Sequence, residues 1–277
     1  MAVKRLAPLL TATLIAAGAF EARAVGIAGG WDKMSQPHAL LAFPNVTVPS
    51  FIAEAIMRAA HVSGVDPRIV LALAEKESSF RHDVKARTSS AEGLFQFLEG
   101  TWLEVLSAHA AKHGFGAAAE HIRSVDGRFT VQDPDTKRWL LSLRQDPFLS
   151  ALMACELLKR TREQLRERTG QHVPSAGDLY LAHVLGTKGA ARLLRLLATS
   201  PKQKASQVFP RAARANRALF SITRKKQKRE ATIAEVHGRV STAFDLSVAR
   251  YAEHPARGHA VTLMVRSATG TSAPGLP

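Results

Sequence analysis

The sequence predicts a mainly α-helical protein with a basic C-terminal extension, and three observations carry that expectation. Between residues 51 and 197, apolar side chains recur three and four positions apart, the period of a helix that buries one face. No alternating apolar and polar run of useful length occurs before residue 230, which argues against a sheet. Charge is unevenly spread: of the net +15, residues 201–277 hold 14 basic and 4 acidic side chains, whereas residues 25–200 hold 21 and 18. With 277 residues, 46% of them hydrophobic, the chain can bury a sizeable core, which excludes a fully disordered protein.

The order of segments starts with an address. Lys4 and Arg5 precede an uncharged apolar run from Leu6 to Phe20, and Ala22-Arg23-Ala24 supplies small residues where a signal peptidase reads. The run is about 15 residues, short of the roughly 20 that span a bilayer as a helix, so residues 1–24 read as a signal peptide cleaved near Ala24. The mature protein is then expected in the periplasm or secreted. Residues 25–50 read as an extended lead-in through Pro37, Pro44 and Pro49. The single cysteine, Cys155, lies in an apolar run, which excludes an intramolecular disulfide and suits a small buried residue.

Helical spacing begins at Phe51 and continues through Ala55, Ile56, Ala59 and Ala60. Gly64-Val65-Asp66-Pro67 then interrupts it, with Pro67 placed to open a second helix over about Arg68 to Ser79. Ala91 to His113 reads as one or two further helices, followed by a glycine-rich loop at 114–116 and a polar loop at Asp126-Gly127. Thr136–Arg144 and a long Pro147–Arg168 follow as helices. Gly170 marks the end of the long one, and Ser175 or Asp178 can cap the next. That helix ends near Gly186, and another runs from Gly189 to Leu197. Residues 201–266 form the basic extension, with the run Arg224-Lys225-Lys226-Gln227-Lys228-Arg229. Residues 267–277, rich in Ser, Thr, Gly and Pro, are expected to be disordered.

One residue breaks the apolar pattern. On the second helix Val70, Leu73 and Ala74 share a face, and the same spacing puts Glu77 on it. Desolvation there disfavours the ionised carboxylate, which suits a group that must donate a proton near neutral pH. Glu75 lies about 200° around the helix and points elsewhere. Periodicity alone leaves two readings of Glu77 open: a catalytic acid, or a helix-end carboxylate that reaches water or pairs with an arginine.

The context of Glu77 narrows them. Ala72-Leu73-Ala74-Glu75-Lys76-Glu77-Ser78-Ser79-Phe80 and Ser89-Ser90-Ala91-Glu92-Gly93-Leu94-Phe95-Gln96-Phe97 resemble the catalytic core of soluble lytic transglycosylases of the lysozyme-like superfamily. The first stretch is similar to that family's Glu-Ser-x-Phe motif, and the second to its Gly-Leu-Met-Gln motif with Phe95 in place of Met. Val65-Asp66-Pro67 and Thr101-Trp102 also sit where the family has such residues. The resemblance covers about Phe51 to Leu197 and implies a lysozyme-like helical domain over 51–200. It implies that Glu77 is the sole catalytic carboxylate for cleavage of the β-1,4 bond between N-acetylmuramic acid and N-acetylglucosamine in peptidoglycan. Glu77 would act as acid and then as base on the muramic C6 hydroxyl, leaving a 1,6-anhydro product.

The resemblance also implies substrate contacts at Ser78, Ser90, Phe95 and Gln96, with helix caps or loop hydroxyls as the alternative for the two serines. The family's third motif, Ala-Tyr-Asn-Ala-Gly, falls on Ala182-His183-Val184-Leu185-Gly186, a departure that puts His183 where tyrosine is expected. Tyr180, almost one turn earlier, can supply the missing hydroxyl, and His183 is placed either in the cleft or in the packing around it. An ordinary glycosidase needs two carboxylates. Asp83 and Glu92 are the nearby acids, and both read as solvated loop or helix-end residues.

Other patterns are weaker. His109 and His113 have helical i, i+4 spacing without a following Glu or a third ligand, so they do not establish a metal site. Nothing in the sequence calls for a cofactor. The basic extension fits a polyanion-binding surface or a solvated cationic face. An export signal favours an acidic envelope polymer, anionic lipid or a secretion-machine partner over nucleic acid. Two further functions stay open at this level: a muramidase that hydrolyses the same bond with water, and a non-catalytic wall-binding protein.

Overall fold

The computed structural model describes residues 40–170, 173–224 and 227–252. The expected signal peptide, most of the lead-in and the expected disordered tail lie outside the described residues. The chain is mainly helical. It opens with a hairpin, β1 (Leu40–Phe43) against β2 (Val46–Pro49), whose turn uses Asn45 at φ 62°. Asparagine tolerates that left-handed conformation better than most residues.

Helix α1 (Ser50–Ser63) buries Ile52, Ala53, Ile56, Ala59 and Ala60 and ends at Gly64 with φ 74°. Helix α2 (Pro67–Ser78) starts on Asp66, whose carboxylate accepts the Arg68 backbone N–H at 2.9 Å, with Pro67 in the first turn where no N–H is needed. All six residues from Ile69 to Ala74 are buried, so α2 is covered on every side and only its last turn opens to a functional surface.

After α2 the chain runs without a helix to α3 (Glu99–His109). The helix expected from Ala91 therefore starts eight residues later. Gly93 and Gln96 take φ 83° and 49°, and Glu92 bridges both Lys85 and Phe97, so residues 85–97 fold into a compact loop. Apolar residues are dense there because both sides of the loop are buried.

Helix α4 (Gly116–Glu120) and a hairpin of β3 (Arg123–Val125) and β4 (Arg128–Thr130) follow. The turn at Asp126-Gly127 has both φ angles positive, the primed geometry that suits the twist of a hairpin. Helices α5 (Pro134–Ser142) and α6 (Pro147–Arg168) are each capped by an aspartate, Asp133 and Asp146, one residue before a proline. Helix α6 buries Leu149 to Glu156 and packs along α1 and α7. Cys155 is fully buried there, and loss of solvation pushes its thiol up to about 11.

Helix α7 (Ala176–Thr199) begins with a reciprocal cap between Ser175 and Asp178 and breaks at Gly186 (φ 70°, ψ 157°), so the two helices expected around Gly186 join across a kink. Short helices α8 (Ala205–Val208) and α9 (Pro210–Ala215) lead to a third hairpin, β5 (Ser221–Arg224) with β6 (Gln227–Glu230). Helix α10 (Ile233–Ala249) closes the described chain behind a Thr232–Glu235 capping box.

The mainly helical expectation holds, and three short hairpins are added that no alternating run before residue 230 announced. Each strand is only three or four residues long, too short to display an alternating period.

Two apolar clusters form the interior, one built mainly on α1, α2, α3 and α6, the other on α7, α8 and α10. Helix α10 contributes Val236 and Val240 to the second, while Phe244 and the following Tyr251 belong to the first.

Candidate active site

The last turn of α2 sends two carboxylates in different directions. Glu75 Oε2 accepts the Tyr251 hydroxyl at 2.8 Å and Glu75 Oε1 lies 3.0 Å from Arg250 Nη1. Glu77, whose side chain is 13% exposed, meets α7 instead: its Oε1 is 3.0 Å from His183 Nε2. The helix then stops abruptly, because Ser79 and Phe80 both take left-handed conformations (φ 52° and 64°). Sparse backbone conformations of this kind persist only where the surroundings hold them. Here Phe80 is buried edge-on to the Tyr251 ring, with centroids 6.4 Å apart.

Ser78 is buried, and its hydroxyl donates to the Leu94 carbonyl at 2.8 Å, so it ties the end of α2 to the loop that carries Gln96. That loop is held from beneath by Arg144. Its guanidinium pairs with Glu92 at 2.5 Å and donates to the carbonyls of Ser90 at 2.6 Å and Phe97 at 3.1 Å, while Gln145 donates to the other Glu92 oxygen. Burial lowers the Arg144 pKa, and the Glu92 carboxylate works against that loss. The expected solvated state of Glu92 is thereby corrected: its carboxylate is buried because Arg144 and Gln145 satisfy it. Gly93 lies so close to this strut that a Cβ would fall 2.1 Å from the Arg144 carbonyl oxygen, and its positive φ adds a second reason for glycine.

The loop presents Phe95 and Gln96 to a cleft of about 320 Å³, which Leu73, Tyr180, His183 and Phe244 also line. The Gln96 amide nitrogen donates to the carbonyls of Val84 and Gly93, and its Oε1 is buried with no hydrogen-bond partner among the described residues. Ser90 is exposed, and its hydroxyl accepts the Glu99 N–H at the start of α3. Glu77, Ser78 and Ser90 are not among the cleft-lining residues, and Glu77 reaches the cleft wall through its contact with His183. Asp83 is exposed.

Opposite the loop, α7 supplies Tyr180 and His183. Their rings stack at 5.8 Å and 5°. Protein atoms crowd the imidazole and disfavour its charged form even though 45% of the side chain is exposed. The Glu77 carboxylate acts the other way and prevails, so the His183 pKa lies above its ordinary 6.5. Burial first, and then the Glu77 charge, push the Tyr180 phenol above its usual range, so it is a neutral wall rather than an acid.

Residues 54–110 match the family model of the transglycosylase SLT domain. This stretch is similar to the SLT-type transglycosylase domain of the lysozyme-like superfamily. Members of that family are lytic transglycosylases, which act on peptidoglycan, and the match supports a glycan-cleaving role for this chain. The matched stretch runs from within α1 through α2 and the Gly93–Gln96 loop to the end of α3, so it contains Glu77, Ser78, Ser90, Phe95 and Gln96. Tyr180, His183 and Phe244 reach the SLT cleft from outside it.

Sequence reasoning missed two residues of this arrangement. Arg144, under the loop, had no local signal. Phe244 had one, because Val236, Val240 and Phe244 recur every four residues behind Thr232 and Glu235. The histidine pair at 109 and 113 faces a buried carboxylate: Glu156 meets Lys112 at 2.6 Å, His113 at 3.1 Å and His109 at 3.7 Å. Lys112 and, at 3.5 Å, Lys159 supply cations to that cluster.

Proposed function

We propose that the protein is a peptidoglycan lytic transglycosylase that cleaves the β-1,4 bond between N-acetylmuramic acid and N-acetylglucosamine, with Glu77 as acid and then base. The observation that carries this reading is the contact of Glu77 with His183, a residue of the cleft wall, at 3.0 Å. Glu75 is engaged by Tyr251 and Arg250, Glu92 by Arg144, and Asp83 stands in solvent, so among these carboxylates Glu77 is the one that meets the cleft wall, through His183. Hydrolytic glycosidases use two carboxyl groups, one for the leaving group and one for water or a covalent bond.

In the proposed sequence the Glu77 carboxyl gives its proton to the bridging oxygen as the bond from the muramic C1 breaks. The departing N-acetylglucosamine keeps that proton on its O4. The Glu77 carboxylate then takes the proton of the muramic C6 hydroxyl, and O6 closes on C1. The 1,6-anhydro ring forms, Glu77 is protonated again, and no water is consumed. Phe95 and Gln96 serve as cleft wall and sugar contact, with Tyr180 and His183 on the opposite side.

In this reading the enzyme works outside the cytoplasm, in the periplasm or secreted after cleavage near Ala24. Among the described residues no helix is long and apolar enough to cross a membrane. The positive charge beyond residue 200 is assigned to contact with an acidic envelope polymer, an assignment that the salt dependence of binding tests.

Mass spectrometry of the soluble products released from peptidoglycan tests the reaction. Wild type is expected to release anhydro-muropeptides and Glu77→Gln none. Reducing-end products would mean hydrolysis, and no Glu77-dependent product would mean a binding protein.

A further inference from the structure

Three aromatic rings run in a column from α10 to the candidate acid. Phe244, 1% exposed, stacks on Tyr180 with centroids 4.6 Å apart and planes within 7°. Tyr180 stacks on His183 at 5.8 Å and 5°, and His183 Nε2 ends 3.0 Å from Glu77 Oε1. Tyr180 and His183 are three residues apart on α7, so the helix itself brings them together. Phe244 comes from an element that begins more than a hundred residues after the SLT match ends.

The hydroxyl of Tyr180 makes no hydrogen bond to another described residue, so contacts with its ring faces set the position of this side chain. One face lies on His183 and the other on Phe244. Helix α10 is in turn fixed along its length. In its first half His237 Nε2 lies 2.9 Å from Asp178 Oδ1, and at its middle a Cβ on Gly177 of α7 would fall 2.5 Å from the Ser241 Cα. Beyond its end, Tyr251 and Arg250 hold Glu75 on α2, the same helical turn that carries Glu77. The far end of the column is therefore tied to the element that holds the carboxylate.

We propose that Phe244 and Tyr180 are positioning residues that hold the His183 imidazole against Glu77, so that a helix outside the SLT match sets the geometry of the candidate acid. Parallel ring contacts are directional. A flat ring behind Tyr180 restricts its tilt, and through it the His183 plane, in a way that an aliphatic side chain of similar volume does not. The groups that act on the imidazole's charge are Glu77 from α2 and, across the stack, the neutral phenol of Tyr180 on α7; α10 presents an uncharged ring. The inference rests on the catalytic reading of Glu77, but its first measurement does not need turnover.

The experiment compares wild type, Phe244→Leu and Phe244→Tyr, with folding checked by circular dichroism. Proton–nitrogen NMR of His183 in the full mature chain reads its ring-current shift and its titration. Phe244→Leu is expected to move the His183 ring signals and to lower its midpoint toward 6.5 as Glu77 loses contact. Phe244→Tyr, which keeps the ring, is expected to preserve both. On soluble glycan strands, kcat of Phe244→Leu is expected to fall about tenfold, the order of loss that a displaced reacting group brings, with KM within twofold.

A folded Phe244→Leu with wild-type His183 signals and wild-type kcat overturns the proposal. If Phe244→Leu does not fold, Tyr180→Phe against Tyr180→Leu makes the same comparison, and equal His183 titrations in that pair overturn it. Glu77-independent turnover would sink the catalytic reading alone, because the NMR comparison would still report on the column.

Discussion

At the residue scale, the proposed chemistry sets His183 beside the candidate acid, Glu77. His183 Nε2 lies 3.0 Å from Glu77 Oε1, close enough for a charged imidazole to pair with the carboxylate. The group with a resolved displacement is His183, whose pKa is raised: burial opposes the charged ring and the Glu77 charge overcomes it. A raised histidine contributes stability that is fully present below about 6.5, its unfolded value, and that is lost as pH rises through the folded value. In the proposed reaction His183 passes this proton to Glu77 for the acid step. Activity is therefore expected to persist above pH 6.5 and to fall on a basic limb at the raised midpoint. Tyr180 remains neutral there, and no described charge other than Glu77 is resolved as acting on the ring. Replacing His183 with Gln removes the proton store, and the limb of kcat against pH should move toward acid by about one unit or more, the spread typical of perturbed groups. An unmoved limb would mean that His183 does not supply the proton.

At the scale of elements, the loop between α2 and α3 shows why a motif can be legible when its conformation is not. Its buried residues suggested a helix from Ala91, but the loop is shaped by Arg144, which lies about fifty residues further along the chain. Arg144→Met would leave Glu92 buried without its close cation and the Ser90 carbonyl without that donor, while the Phe97 carbonyl keeps the Glu92 N–H. Removal of one partner of a buried pair costs about 3–5 kcal/mol, and urea denaturation should read a loss of that order. A loss below about 1 kcal/mol would show that the loop repacks without its strut. The helices were more legible where their ends are local. Asp146-Pro147 and Ser175 with Asp178 cap α6 and α7 through side chains one to three residues away. Glu77 was legible for a related reason, because its face follows from its spacing to Val70, Leu73 and Ala74. Its partner was legible only as a departure from a motif, since the 3.0 Å contact joins residues 77 and 183. The hairpins were hidden by shortness, and Phe244 by its distance in sequence from the ring that it covers.

At the scale of the whole molecule, the cleft and the excess charge occupy different surfaces. An open concavity of about 610 Å³ is lined by Lys202, Lys204, Lys228 and Arg229 together with Ser221, Glu230 and Thr232, and it shares no lining residue with the cleft. Two of its cations are partly spent: Lys204 lies 3.2 Å from Glu230 and Arg229 lies 2.5 Å from Glu235, and hydrogen bonds led by that from Arg229 hold the Glu235 carboxyl down to about 2. Lys202 and Lys228 have no acidic partner among the described residues. Exposed like charges that remain unpaired raise the local concentration of a polyanion, and salt screens the attraction over about 8 Å at physiological ionic strength. Binding of the mature protein to an acidic polymer such as polyglutamate should therefore weaken steeply between low and high salt. Reversal of both charges, Lys202→Glu with Lys228→Glu, should weaken it about tenfold, the lower range of such focusing effects. Cleavage of soluble glycan strands by that double variant should stay within twofold, because the cleft is not altered. Binding that ignores salt, or that survives both reversals, would make the basic face a solvated surface and leave the cleft alone to account for contact with the cell wall.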